Sequence, residues 1–161
     1  EYPLLTAYDS DSENAFIAWG KQVAFEAIKD QPKNDREVTA IPTMPQYRKI
    51  RSLVGETTFV GEAGYCQDTV GTCGDFRKRG PVFHMPYGCL YNRQVSNLIT
   101  AGRVVSADGE GWEIARVIPV CALTGQAAGT AAAIALKSGM DFVSMNISHL
   151  QETLKNQGVL F

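Results

Sequence analysis

The stretch Asn97-Leu-Ile-Thr-Ala-Gly-Arg103, with the long apolar segment Ile114 to Gly139 behind it, decides how the chain is read. Leu98 to Ala101, closed by Gly102-Arg103, is a short continuous apolar run bounded by turn residues. That suits an interior strand, although periodicity alone does not separate it from a buried helix. A Ser, Asp and Gly-rich loop from Ser106 to Gly111 follows. Val120 to Lys137 then reads as one helix, with Pro119 in its first turn and Gly139 just past its end. Strand, loop and small-residue helix together bring free backbone N–H groups to a ligand. A helix start of this kind favours phosphate or a polarised carbonyl oxygen.

Three readings compete for Ile118 to Leu136. The segment is long enough to span a bilayer and carries Gly125-xxx-Gly129, but Thr124, Gln126, Thr130 and the many alanines argue against a membrane. It also fits a buried helix whose small face, Gly125, Ala128, Gly129, Ala132 and Ala133, packs closely on a sheet. The third reading adds a cofactor against the helix start. A P-loop is excluded because no glycine precedes Lys-Ser/Thr in the required spacing, and the G-x-G-x-x-G fingerprint is missing.

Outward from this centre, 161 residues with 45% apolar composition suffice for one globular unit with its own core. A net charge of −2 gives no electrostatic reason to expect nucleic acid, and the cluster Arg77-Lys78-Arg79 reads as solvated surface. Cys66, Cys73, Cys89 and Cys121 form no C-x-x-C pair, and His84 and His149 stand alone. No metal site and no disulfide framework is expected. The chain opens at Glu1 without a signal-peptide pattern, so it reads as cytoplasmic, with reduced thiols, and as a piece of something longer.

Ser10-Asp-Ser-Glu13 is a capping-box pattern ahead of a helix whose stripe Phe16, Trp19, Val23 and Ala27 reads as core. Val38 to Met44 is a candidate edge strand broken by Pro42 and Pro45. Tyr47 to Val60 reads as extended. Arg48 and Arg51 within it suit the surface or a site. The turn-rich run Gly61 to Gly80 is a functional loop or an excursion carrying another strand. Val82 to Met85 is a strand to which Leu90-Tyr91 could pair back. Asn146 caps a last helix with the apolar face Ile147, Leu150 and Leu154, ended by Gly158.

The blocks Asn97-Leu-Ile-Thr-Ala-Gly-Arg-Val-Val-Ser-Ala107 and Arg116-Val-Ile-Pro-Val-Cys-Ala-Leu-Thr-Gly-Gln-Ala-Ala-Gly-Thr-Ala-Ala132 carry a resemblance. In this order they resemble the C-terminal end of bacterial FAD-dependent oxidoreductases of the glutathione-reductase type, distantly related to fumarate-reductase flavoproteins. Tyr47-Arg-Lys-Ile-Arg-Ser-Leu-Val-Gly-Glu56 and Gly80-Pro-Val-Phe-His-Met-Pro-Tyr87 resemble the substrate-domain strands of that family. The resemblance covers about residues 40–160 and implies flavin-dependent redox chemistry. It places Gly102, Arg103, Ser106 and Ala107 along FAD, and brings Val117, Ile118 and Pro119 to the ring. Gly125 and Gln126 fall further along the helix. Arg116 would face the flavin or a substrate anion. No catalytic base stands out, the candidates being Arg116, His84, Arg51, Tyr87 and Cys73, and the substrate is not readable.

The implied architecture is an α+β fragment with an antiparallel substrate-type sheet, one strand of an FAD-domain sheet and flanking helices. Residues 1–96 would be the substrate or cap portion, and 97–161 the C-terminal portion of the FAD-binding domain. The partner is then the absent N-terminal FAD-binding half. FAD belongs to the parent protein, and the fragment alone is expected to be inactive and open to self-association. A reading from another class is a non-catalytic module whose apolar helix face docks on a partner domain.

Overall fold

Asp9 starts the first helix, α1 (Ser10–Ile28), by accepting the Ser12 N–H on its carboxylate at 2.7 Å. The cap is therefore one residue ahead of the expected Ser10, and an ionised carboxylate there also suits the helix dipole. The computed structural model describes residues 9–32, 34, 37, 39–40 and 51–161. The candidate strand at Val38 to Met44 and the residues Tyr47 and Arg48 lie outside these, apart from Thr39 and Ala40. The chain divides into two units, Glu1–Ile50 and Arg51–Phe161, where one was expected. In the first, α1 is the only element among the described residues. Phe16 and Trp19 lie with ring centroids 6.5 Å apart, but no residue of α1 is buried. The expected core stripe has no other described element of its own unit to pack on.

In the second unit, the turn-rich run does carry a strand. β1 (Thr69–Gly74) pairs antiparallel with β2 (Val82–Pro86), in a register that sets Thr72 opposite His84 and Cys73 opposite Phe83. A 3₁₀ turn at Tyr87–Cys89 then leads into β3 (Tyr91–Asn92), which pairs antiparallel with β4 (Val95–Ile99). Tyr91 thus pairs forward with Ile99 instead of back to Val82–Met85. β4 starts earlier than the expected run and is not interior: Val95 is 46% and Leu98 41% exposed. The fold class is α+β with antiparallel sheets and flanking helices.

Residues 53–59 run as an extended segment beside the chain that follows β4. Leu53 N–H donates to Val104 O at 2.7 Å, Phe59 N–H to Ser106 O at 2.9 Å, and Asp108 N–H to Phe59 O at 3.0 Å. After a 3₁₀ turn at Gly102–Val104, the expected loop gives way to a helix, α2 (Gly109–Ala115). Gly111 is the condition for this approach, because a Cβ there would fall 2.1 Å from Phe59 O.

Then comes α3 (Ile118–Ser138), about 31 Å long at 1.5 Å per residue. Pro119 lies in its first turn, and Gly139 follows it in the left-handed conformation. By length and composition α3 could span a bilayer. Six of its residues (Val120, Thr124, Ala127, Ala128, Ala131 and Ala135) are buried, and it packs on β1, on α4 and on the Gly102–Val104 turn. The buried face is shifted from the expected one, of which Ala128 is buried and Ala132 half-buried. Gly125, Gly129 and Ala133 are exposed, and a Cβ at either glycine would meet nothing within 4 Å. Small residues surround this helix on all sides, so their spacing alone does not say which side faces the core.

The last helix, α4 (Ile147–Asn156), begins at Asn146, whose side chain accepts the His149 N–H at 3.1 Å. Leu150 and Leu154 are fully buried, and Met145 nearly so.

Candidate functional site

The site begins at the join of β4, α2 and α3. Gly102 adopts φ +73°, a conformation that favours glycine, and this turns the chain sharply after β4. Its N–H donates to Thr124 Oγ1 at 2.9 Å, one and a half turns into α3. Thr124 is fully buried, and its hydroxyl also lies 2.9 Å from Val120 O and 3.1 Å from Cys121 O. One side chain therefore fixes the Ala-Gly-Arg turn against the helix.

The start of α3 is open. Val117 provides no capping side chain, the first turn holds no acidic residue, and Ile118 is 85% exposed with Pro119 exposed beside it. The first N–H groups of a helix have no partner within it, and the helix dipole adds partial positive charge at this end. Arg103 is exposed in the neighbouring turn. The arrangement favours negative charge near the helix start, and the sequence carries no Gly-rich strand–turn–helix fingerprint.

The other expected residues are placed differently. Ser106 and Ala107 are buried, with 3% exposure each. The Ser106 hydroxyl is 3.0 Å from Thr58 Oγ1, and its N–H donates to Cys89 O at 2.9 Å. Both residues thus tie the loop to the core. Arg116 caps the end of α2. Its Nε and Nη2 reach Glu113 Oε2 at 3.0 and 2.6 Å, and its guanidinium stacks on Trp112 at 5.2 Å. Its charge is thus balanced by Glu113, and both of these contacts lie within α2. Gln126 is turned away toward the end of α4, donating to Gln157 Oε1 at 3.0 Å.

The candidate catalytic residues show no common centre. Tyr87 is buried, and its hydroxyl donates to Phe142 O at 3.0 Å; burial pushes its pKa up. Arg51 is exposed. Burial pushes the Cys73 thiol up to about 11, which leaves little thiolate at neutral pH. His84 lies on β2 at a separate pocket. Among the described residues, no group of three or more His, Cys, Asp and Glu could hold a metal ion.

Two positions went unrecognised in the sequence. Thr124 carried no signal beyond being a polar residue in an apolar helix. Glu113 was legible in principle, three residues before Arg116 on one helix.

The fold defines a class: an α+β unit consistent with part of an FAD-binding domain. Residues 60–154, more than half of the chain, match the family model described as FAD dependent oxidoreductase, and the chain belongs to that family. No curated protein and no solved structure matches the chain.

Proposed function

We propose that the chain is the C-terminal part of an FAD-dependent oxidoreductase of the glutathione-reductase type, with the start of α3 and the Gly102–Val104 turn lying against the flavin. The observation that carries this reading is the open helix start, held by Thr124 beside the Ala-Gly-Arg turn. FAD, when bound, supplies two-electron redox chemistry at its ring. This chain's part is to orient and stabilise. The N–H groups of Ile118 and Val120 favour negative charge at the ring edge, and Arg103 adds a cation nearby. Arg116, held by Glu113 and Trp112, closes the end of α2 just ahead of the start of α3.

The diphosphate grip belongs in this reading to an N-terminal FAD-binding half. That half docks on the exposed stripe Ile118, Ala122, Gly125, Gly129, Ala133 and Leu136, which falls at helical spacing along α3. The two glycines let another backbone approach closely. β4, with Val95 and Leu98 exposed, would join the sheet of the same half.

Gly125→Leu tests the docking. In this chain the new side chain meets open space and improves helix propensity by about 0.5–1 kcal/mol, so the melting temperature should hold or rise. In the parent protein the same change should lower FAD occupancy, read by absorbance per chain. A melting temperature lowered by several degrees in the chain alone, or unchanged occupancy in the parent, would show that the stripe is not this interface.

A further inference from the structure

A pocket of about 220 Å³ lies between the segment 58–66 and β2. A parallel bridge between Gly64 and Phe83 holds that segment to the strand. An apolar cavity of about 150 Å³ accepts benzene, so this one has room for a six-membered ring with a substituent. Its walls suit such a ring. Phe59 is buried and anchored edge-on against Phe83, with centroids 6.4 Å apart. Tyr65 and His84 form a corner at 72° with centroids 5.3 Å apart, and Pro86 adds a flat apolar surface.

The polar groups give the pocket a sign. Among the described residues, Glu62 is the one acidic residue in its lining, and no Lys or Arg lines it. Cys66 also lines it, but burial and the nearby Asp68 carboxylate push its thiol pKa up, which keeps it uncharged and weakly nucleophilic. The Nδ1 of His84 is buried and makes no hydrogen bond among the described residues. Aromatic faces beside a carboxylate favour a cation, and the described lining residues offer an anion no Lys or Arg.

We infer that this pocket binds a single-ring cation carrying N–H donors, of the aromatic amidine or amine class, with Glu62 accepting from the donors and Phe59, Tyr65 and His84 enclosing the ring. Binding here uses no residue at the start of α3. It is independent of flavin, and its failure would leave the flavin reading standing.

Benzamidine and benzoate serve as opposite probes of one size, added to the 161-residue chain at pH 7. The chain has two histidines, His84 in the pocket and His149 exposed on α4, so the imidazole Cε1–H resonances give a site signal and an internal reference. Benzamidine should shift the His84 resonance saturably and leave His149 unmoved, while benzoate at equal concentration moves neither. Glu62 is exposed, so Glu62→Gln should fold normally, and it should weaken benzamidine binding about tenfold or more. No saturable shift at His84, equal shifts at both histidines, benzoate binding as tight as benzamidine, or an unchanged affinity in Glu62→Gln would each overturn the inference.

Discussion

Thr124→Val removes one hydroxyl and almost nothing else. Valine matches threonine in shape, so the buried volume beneath α3 is kept, but the Gly102 N–H loses its acceptor at 2.9 Å. Val120 O and Cys121 O, also within reach of the hydroxyl, are less affected because each is a carbonyl in the body of a helix. Gly102 is half-buried, so leaving this donor unpaired costs no more than the about 1–3 kcal/mol of a fully buried one. Burying a methyl in place of the hydroxyl offsets part of this, so the net loss should be about 1–2 kcal/mol. For a chain of this size that lowers the melting temperature by about 2–8 °C. Thr124→Ser is the control: it keeps the hydroxyl and loses one buried methyl, for about 1 kcal/mol. The two variants can therefore melt at similar temperatures and still differ in one respect. Amide exchange at Gly102 should speed up in Thr124→Val and stay slow in Thr124→Ser. If Gly102 exchanges at the same rate in Thr124→Val as in the unmodified chain, Thr124 does not hold the turn against α3.

The remaining predictions concern the close approach beneath α2 and the thiols. Gly111→Ala drives a methyl to within 2.1 Å of Phe59 O, where backbone faces backbone, so denaturant unfolding should show a loss of about 3 kcal/mol or more; a loss under about 1 kcal/mol would mean that α2 slides freely over residue 59. All four cysteines are free, and all have pKa values raised by burial, so disulfide-exchange reagents should react slowly with the native chain at pH 8 and find about four thiols after denaturation. Cys73, raised from 9.0 to about 11, favours the folded state below pH 9, and that contribution is lost as pH rises from about 9 to 11. Cys73→Ala should flatten this part of the stability–pH curve, and an unchanged curve would place the alkaline transition elsewhere.

The bounds of α3 and α4 could be read from the sequence because single residues mark them. Pro119 and Gly139 bracket one helix, and Asn146 opens the other. The facing of α3 could not, since Gly125 and Ala128 differ little in size and only the neighbours decide which is covered. Two glycines among its first three residues hid α2, and the reason for Gly111 lies fifty residues upstream at Phe59. β4 looked interior from its apolar content, yet among the described residues it pairs with β3 alone and leaves Leu98 exposed. The family was legible as an ordered pair of motif blocks, and these set where the candidate site was sought. The mechanics of the site were not: the hydrogen bond from Gly102 to Thr124 spans 22 positions, and the Gly64–Phe83 bridge and the Tyr65–His84 contact bring Glu62 and Tyr65 to His84 from about twenty residues away. Arg116 was singled out for its charge, and its partner Glu113 changes what that charge can do.

The most direct measurement is titration of the purified 161-residue chain with FAD, followed by absorbance and by backbone amide resonances on the same sample. The chain should be colourless as purified, because each missing charge-assisted hydrogen bond to the diphosphate is worth about 1.5–3 kcal/mol. Weak binding at high FAD concentration should then move the amides of Ile118, Val120 and Gly102 to Val104, and leave those of α4 in place. A yellow chain holding one FAD, or shifts that avoid the start of α3, would contradict the assignment of this helix as the flavin-facing element.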